Sequence, residues 1–175
     1  MTSATMTDIF HDAVRVCPDR VYCKSANQSL TYSEAAKVIG AVGRGLGPTV
    51  RGRAVALVLP NSAAFLISYF AVLSAGAYPV LVNYAHPDAT VTKLLEGIDL
   101  GAVLSDRDIP GLDVSKFDDA ALTKLVSDGT APHAAVATPP EGIGAILFSG
   151  GTTGLPKKVA HTNKMLVAAV ERMEW

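Results

Sequence analysis

Residues 54–82 read AVALVLPNSAAFLISYFAVLSAGAYPVLV and contain no Asp, Glu, Lys or Arg. Residues 54–59 and 78–82 are continuous apolar runs with the length of a strand. Such runs are typical of strands that are covered on both faces of a parallel sheet. Between them, Asn61 or Ser62 can cap a helix that extends to about Ser74. The stretch therefore predicts a strand, a helix and a second strand, which together form one βαβ unit.

The same stretch is apolar enough to raise the question of a membrane span. Residues 54–87 contain no Asp, Glu, Lys or Arg, but a helix needs about 20 apolar residues to cross a bilayer. The sequences PNS at residues 60–62 and GAYP at residues 76–79 divide the stretch into shorter pieces. We therefore predict no membrane span.

The first ten residues and the two cysteines bear on the compartment. The segment MTSATMTDIF lacks the basic region followed by an apolar run that marks a secretory signal. Cys17 and Cys23 are too few and too widely spaced for a zinc ribbon or a redox pair, so we interpret them as reduced thiols. A cytoplasmic protein is therefore expected.

The rest of the chain also alternates between helix and strand. Thr31 and Glu34 form a capping-box pattern, which predicts a helix to about Leu46. Further helices are predicted for residues 7–16, 87–96 and 118–126, and another begins near Thr162. Short strands are predicted for residues 21–24, 29–30, 102–104 and 143–148. Strands that alternate with helices imply an α/β fold with a parallel sheet built from βαβ layers.

Residues 129–142 read GTAPHAAVATPPEG and are rich in Ala, Pro and Thr. We predict an irregular connection, after which the chain returns to the same sheet through residues 143–148. A flexible linker between independent domains is the alternative. Residues 143–175 are too few to fold alone, which favours a single unit over residues 1–175.

Composition limits the kinds of partner. The chain has 175 residues, 49% of them hydrophobic and 18% charged, with a formal net charge of -1. A nearly neutral protein has no electrostatic footprint for nucleic acid or an anionic membrane. A small molecule or another protein is the expected partner.

A run of small residues follows the strand predicted at residues 143–148. Residues 149–157 read SGGTTGLPK, which is neither the Walker pattern nor the dinucleotide fingerprint. Glycines allow backbone N–H groups to approach phosphate oxygens, hydroxyls add small donors, and lysine adds a positive charge. A hairpin loop without function is the alternative interpretation.

The loop resembles, at every defined position, the [ST]-[SG]-G-[ST]-T-G-x-P-K loop of the adenylate-forming superfamily. That superfamily includes acyl-CoA synthetases, aryl-acid ligases, luciferases and the adenylation domains of nonribosomal peptide synthetases. Residues 30–34, 51–62 and 73–83 also resemble family segments in the same order. Departures include Arg53, where the family usually has Asp, and Lys158, where it often has Gly; we therefore expect the charge of Lys158 to matter little.

The resemblance implies a reaction. A carboxylic acid attacks the α-phosphate of ATP, pyrophosphate leaves, and the thiol of coenzyme A or of a carrier-protein pantetheine then displaces AMP. Mg²⁺ shares the charge of the β and γ phosphates, which the loop contacts. The residues that the resemblance assigns to this phosphate contact are Ser149, Gly150, Gly151, Thr152, Thr153, Gly154 and Lys157. The resemblance identifies no catalytic residue in this chain.

The resemblance also implies an incomplete N-terminal subdomain of the adenylate-forming fold. The family's acid pocket, hinge and C-terminal lysine have no counterpart within residues 1–175, so we expect the chain alone to be inactive. It would partner with the C-terminal part of such an enzyme or associate with itself through an exposed apolar face. The alternatives are a non-catalytic remnant or interaction module, and the start of a nonribosomal peptide synthetase adenylation domain.

Overall fold

A computed structural model describes residues 5–25, 29–129, 136, 139, 141–150 and 156–173 of the chain. The helices in this part are α1 (Met6–Val16), α2 (Tyr32–Leu46), α3 (Ala63–Ser74), α4 (Asp88–Leu95), α5 (Asp119–Ser127) and α6 (Asn163–Glu171). The strands are β1 (Val21–Lys24), β2 (Ser29–Thr31), β3 (Ala54–Val58), β4 (Tyr78–Leu81), β5 (Leu100–Ser105), β6 (Val114–Lys116), β7 (Ile143–Phe148) and β8 (Lys158–Thr162). A short 3-10 helix covers Pro48–Val50.

The main sheet has six strands in the order β6-β5-β3-β4-β7-β8. β3 lies parallel to both β4 and β5, and β6 and β7 continue the parallel sheet on either side. β8 is antiparallel to β7. β1 and β2 form a separate antiparallel pair. The predicted α/β fold with a mainly parallel sheet is confirmed.

Two apolar clusters cover the two faces of the sheet. Alternate residues of β3 supply them: Val55 and Leu57 belong to the cluster that also contains residues of α1, α2, α3 and α5. Ala56 and Val58 belong to the second cluster, which contains residues of α4. All five residues of β3 are fully buried, as expected for a strand that is covered on both faces. α3 and α4 therefore lie on opposite faces of the sheet.

Side-chain caps fix where several helices begin. Thr31 and Glu34 form the predicted capping box at the start of α2. Of the two candidates Asn61 and Ser62, Ser62 caps α3, and Asp118 caps α5; both use side-chain oxygens. These caps satisfy N–H groups that the first helical turn leaves free, and they explain why the helix starts were predictable.

Two strands were not predicted, and both have a physical reason. β6 contains three residues, of which only Val114 is apolar. β8 reads KVAHT, is largely exposed and pairs with β7 as the second arm of a hairpin. Neither segment is a continuous apolar run, so neither gave the signal of a buried parallel strand.

The connection predicted at residues 129–142 falls mostly outside the described residues. Within it, Val136 donates its N–H to the carbonyl oxygen of Ser74 at 2.8 Å, which ties this point to the end of α3.

None of the helices in the described part is long and apolar enough to span a bilayer. The most exposed apolar residues near the second arm of the hairpin are Val159, Met165 and Met173.

Candidate functional site

β7 brings the phosphate-loop segment to one edge of the sheet. Val80 of β4 lies opposite Ile146 of β7 in parallel register. Ser149 therefore follows β7 at the same edge where Asn83 follows β4. The carboxyl edge of a parallel sheet is where open α/β proteins bind ligands.

The two limbs of the loop are joined by a pair of hydrogen bonds that we call the loop stem. The N–H of Ser149 donates to the carbonyl oxygen of Lys157 at 2.9 Å. The N–H of Lys157 donates to Oγ of Ser149 at 3.3 Å. One rung earlier, Phe148 pairs with Lys158 in the β7–β8 ladder. The stem closes the loop without using the side chain of Lys157 or the hydroxyl hydrogen of Ser149.

The structure describes three of the seven predicted phosphate-contacting residues: Ser149, Gly150 and Lys157. All three lie at the carboxyl edge, and all are exposed. The other four, Gly151, Thr152, Thr153 and Gly154, lie outside the described residues. Within the described part of the chain, no ion pair involves the ammonium group of Lys157. An exposed, uncommitted cation beside a hydroxyl and a glycine amide suits a phosphate group.

Lys158 is placed differently from its neighbour. Its Nζ donates to the carbonyl oxygen of Glu96 at 2.5 Å. Glu96 is the C-cap residue of α4, so the ammonium group sits at the negative end of that helix. No local sequence signal indicates this contact, because the two residues are 62 positions apart.

A cavity of about 540 Å³ opens at the carboxyl ends of β3 and β4. The chain leaves β3 for α3 on one face and leaves β4 for α4 on the other, which makes this position a topological switch point. Its polar lining includes Asn61, Asn83 and Tyr84. The cavity and the loop stem therefore lie at the same edge of the sheet. The cavity is at the ends of β3 and β4, and the stem follows β7, the strand next to β4.

Arg107 organises the segment that lines this cavity. Its Nε lies 3.1 Å from Oδ1 of Asp88, at the start of α4. Its guanidinium also donates to the carbonyl oxygens of Tyr84 and His86, at 3.2 and 3.3 Å, and its central carbon lies 4.4 Å from the centre of the Tyr84 ring. The Tyr84 hydroxyl donates to Oδ2 of Asp106 at 3.0 Å. Sequence reasoning missed this network; its one signal is the run of three charged residues, 106–108, directly after β5.

A larger cavity of about 630 Å³ lies away from this edge, between α2 and the β5–β6 side of the sheet. Its walls include Val42, Leu104 and Phe117, and neither residue of the loop stem is among the described residues that line it. Among the described residues, no group of three or more His, Cys, Asp or Glu side chains is placed to bind a metal ion.

Comparison with known proteins decides the family. The model of a family described as AMP-binding enzyme matches residues 10–175. The chain belongs to the AMP-binding enzyme family. The resemblance found in the loop is thereby confirmed, and the neighbouring segments at residues 30–34, 51–62 and 73–83 fall inside the same match.

Curated relatives of this AMP-binding chain include both synthetases and CoA ligases. Nonribosomal peptide synthetase easA of Emericella nidulans is 28% identical over 97% of this chain and 2% of its own length. Medium/long-chain-fatty-acid–CoA ligase FadD6 of Mycobacterium tuberculosis is 25% identical over 97% of this chain and 31% of its own length. The 4-coumarate-CoA ligase 1 of Narcissus pseudonarcissus is 29% identical over 82% and 30%, respectively. The chain thus spans about a third or less of these relatives.

Known structures confirm the fold of this AMP-binding chain. The N-terminal subdomain of Klebsiella oxytoca NpsA, in complex with 3-hydroxybenzoyl-AMSN, superposes with a TM-score of 0.77 and 25% identity, covering 91% of this chain and 41% of that one. VinN superposes with a TM-score of 0.80 and 21% identity, covering 97% and 46%. The predicted N-terminal subdomain of the adenylate-forming fold is therefore the fold that is observed.

Proposed function

We propose that this chain is the phosphate-handling, N-terminal part of an ATP-dependent, AMP-forming acid ligase. The observation that carries the proposal is the loop stem. It presents the two ends of SGGTTGLPK at the carboxyl edge of the sheet, with Ser149 and Lys157 bonded to each other and the Lys157 ammonium group exposed. Membership of the AMP-binding enzyme family supports the same reading.

In this proposal the loop receives the β and γ phosphates of ATP. Lys157 supplies positive charge to the leaving pyrophosphate, the hydroxyl of Ser149 donates a hydrogen bond, and the N–H of Gly150 faces the same group. The predicted contacts of Gly151, Thr152, Thr153 and Gly154 complete the set. Mg²⁺, when bound with ATP, shares the charge of the phosphates. No catalytic residue is assigned within this chain.

The substrates of the proposed reaction are a small-molecule carboxylic acid and a thiol. The N-terminal subdomain of NpsA was solved in complex with 3-hydroxybenzoyl-AMSN, which supports an acid-derived adenylate. For the thiol there are two candidates, coenzyme A and a carrier-protein pantetheine. Nonribosomal peptide synthetases and CoA ligases match this chain at similar identity, so a second candidate function is an adenylation domain of a nonribosomal peptide synthetase.

The proposal includes a partner for exposed apolar residues in β8, in α6 and directly after α6. Val159, Met165 and Met173 are between 39% and 58% exposed. Exposed apolar patches of a few hundred Å² usually mark an interface. The proposed occupant is the C-terminal part of the enzyme, in the cytoplasm; in its absence, the 175-residue chain would associate with itself.

The experiment that tests the function is acid-dependent ATP–pyrophosphate exchange. It would use a panel of carboxylic and amino acids, with the 175-residue chain and with a version extended by the downstream coding sequence. We expect no exchange by the 175-residue chain, because removing even one preorganised electrostatic donor slows such reactions by about 10²- to 10³-fold. We expect exchange by the extended version, and coenzyme A or a carrier protein then identifies the acceptor. An extended version without exchange would favour a non-catalytic remnant or interaction module.

A further inference from the structure

The last rung of the β7–β8 ladder before the loop is tied to the end of α4 through β8. The ammonium group of Lys158 donates to the carbonyl oxygen of Glu96. On β7, Phe148 packs against the apolar cluster to which α4 contributes Leu94 and Leu95. The rung that supports the loop stem is therefore attached to α4 by a charged hydrogen bond and lies against the apolar cluster that α4 shares.

α4 is in turn held at its other end. Asp88, in its first turn, bonds to Arg107, whose guanidinium also holds the carbonyl oxygens of Tyr84 and His86. An anion near the start of a helix and a cation near its end both interact favourably with the helix dipole. α4 has no side-chain cap at its N-terminus, and these two contacts place a charged side chain from another element at each of its ends. α4 therefore joins the switch-point cavity to the loop stem.

Lys157 and Lys158 make different contacts at this position. Lys158 is the first residue of β8 and its ammonium group reaches the end of α4. Lys157 directly precedes β8; its backbone bonds to Ser149, and its side chain is exposed. The two lysines thus have separate surroundings despite being adjacent in sequence.

We propose that Lys158 is a positioning residue for the phosphate loop. It holds the stem against α4 through Glu96, and so fixes the positions of Ser149 and Lys157, without contacting phosphate itself. The inference rests on the proposed function of the loop and adds to it a residue that the family resemblance treats as dispensable. The two lysines then have different roles: Lys157 interacts with the phosphate through its charge, and Lys158 restrains the stem.

The test compares three variants of the 175-residue chain with the wild type. Lys158→Met keeps the length of the side chain but removes the charge, Lys158→Arg restores the charge, and Lys157→Met is the matched control at the adjacent position. Amide hydrogen exchange measures the stem at Ser149, with Ala145, which pairs with His161 at the far end of the ladder, as the internal reference. Titration with Mg·pyrophosphate at several salt concentrations measures binding, and the urea midpoint measures global stability.

For Lys158→Met we expect exchange at Ser149 to accelerate and pyrophosphate affinity to fall, each about two- to fivefold, the scale of a cation lost from a helix C-terminus. Exchange at Ala145 and the salt dependence of binding should stay as in the wild type, and the urea midpoint should fall only by the amount that corresponds to the loss of this one contact. Lys158→Arg should restore both properties. Lys157→Met should leave the exchange at Ser149 unchanged and should weaken binding with a flatter salt dependence, because a direct charge contact is screened by salt.

Three results would overturn the positioning role alone: unchanged exchange at Ser149 in Lys158→Met, faster exchange with unchanged affinity, or a flattened salt dependence in that variant. The last would make Lys158 a direct phosphate contact. If the wild-type chain binds no pyrophosphate, the proposed function fails, and the positioning role fails with it. If the wild type binds pyrophosphate and one of the three results above is found, only the positioning role of Lys158 fails.

Discussion

Two glycines on one helix provide a test of the packing between α2 and α3. Gly43 is buried where α2 meets α3, and a Cβ at this position would lie 2.7 Å from Oγ of Ser74 and 3.1 Å from the carbonyl oxygen of Ala71. Gly45 is exposed two residues later, and a Cβ there would meet no atom within 4 Å. The same substitution to alanine should therefore have opposite effects at the two positions.

The magnitudes follow from helix propensity and packing. Alanine is favoured over glycine inside a helix by roughly 0.8–1.0 kcal/mol, so Gly45→Ala should raise the free energy of unfolding by about 0.5–1 kcal/mol. At Gly43 the same gain is opposed by overpacking, which costs about 1–3 kcal/mol. The clash also disturbs the buried Ser74 hydroxyl, which donates to the carbonyl oxygen of Ala71 at 2.9 Å. Gly43→Ala should lower the free energy of unfolding by about 0–2 kcal/mol, once the two terms are combined.

Urea unfolding of the two variants and the wild type measures the difference, which we expect to be about 2 kcal/mol between the variants, the sum of the two effects above. A thermal scan should separate their midpoints by roughly 4–8 °C, since 1 kcal/mol corresponds to about 2–4 °C for a chain of this size. Adding Ser74→Ala to Gly43→Ala removes the closest clash and should recover part of the loss. Equal stability of Gly43→Ala and Gly45→Ala would refute the close approach of α2 and α3.

Three further predictions concern the loop, a helix start and two buried phenols. In the extended enzyme, Lys157→Ala should slow adenylation by about one to two orders of magnitude, because a charge-assisted hydrogen bond contributes roughly 1.5–3 kcal/mol. Thiol transfer from a preformed acyl-adenylate should be unaffected in single-turnover assays. Hydrogen bonds from the backbone and side chain of Thr31 lower the pKa of Glu34, so its contribution to stability is present above about pH 4.3, the unfolded pKa, and is lost in more acidic solution. Urea midpoints from pH 7 to pH 3 should therefore fall less for Glu34→Gln than for the wild type. Burial raises the pKa of Tyr69 to about 12 and raises that of Tyr22 as well. The contribution of the two protonated phenols to the free energy of unfolding is fully present below about pH 10, the unfolded pKa, and declines from pH 10 towards pH 12. Absorbance at alkaline pH should show these two tyrosines ionising last, or only on unfolding.

The core of the fold was predictable because its signals are local. Apolar runs marked β3 and β4, and the capping residues Thr31, Ser62 and Asp118 marked the starts of α2, α3 and α5. β6 and β8 were missed because a short or mixed segment becomes a strand only through its neighbour in the sheet. The antiparallel direction of β8 likewise depends on the hairpin, which residues 158–162 do not show by themselves.

The candidate site was predictable to the extent that it lies in one contiguous motif. Ser149, Gly150 and Lys157 were identified from the loop, and the structure places them together at the carboxyl edge. The contacts of Lys158 with Glu96 and of Arg107 with Asp88 join residues that are 62 and 19 positions apart. Such contacts depend on how the elements pack, and the motif alone contains no information about them.

The central claim is that residues 149–157 form a phosphate-binding loop at the carboxyl edge of this sheet. The most direct measurement is a titration of the ¹⁵N-labelled 175-residue chain with Mg·ATP, followed by amide chemical shifts. The account predicts that the largest shifts occur in residues 149–158, with smaller ones at Asn83 on the neighbouring strand end. The claim would be contradicted if these amides did not respond while the cavity lined by Val42, Leu104 and Phe117 did, or if saturating Mg·ATP changed no amide at all.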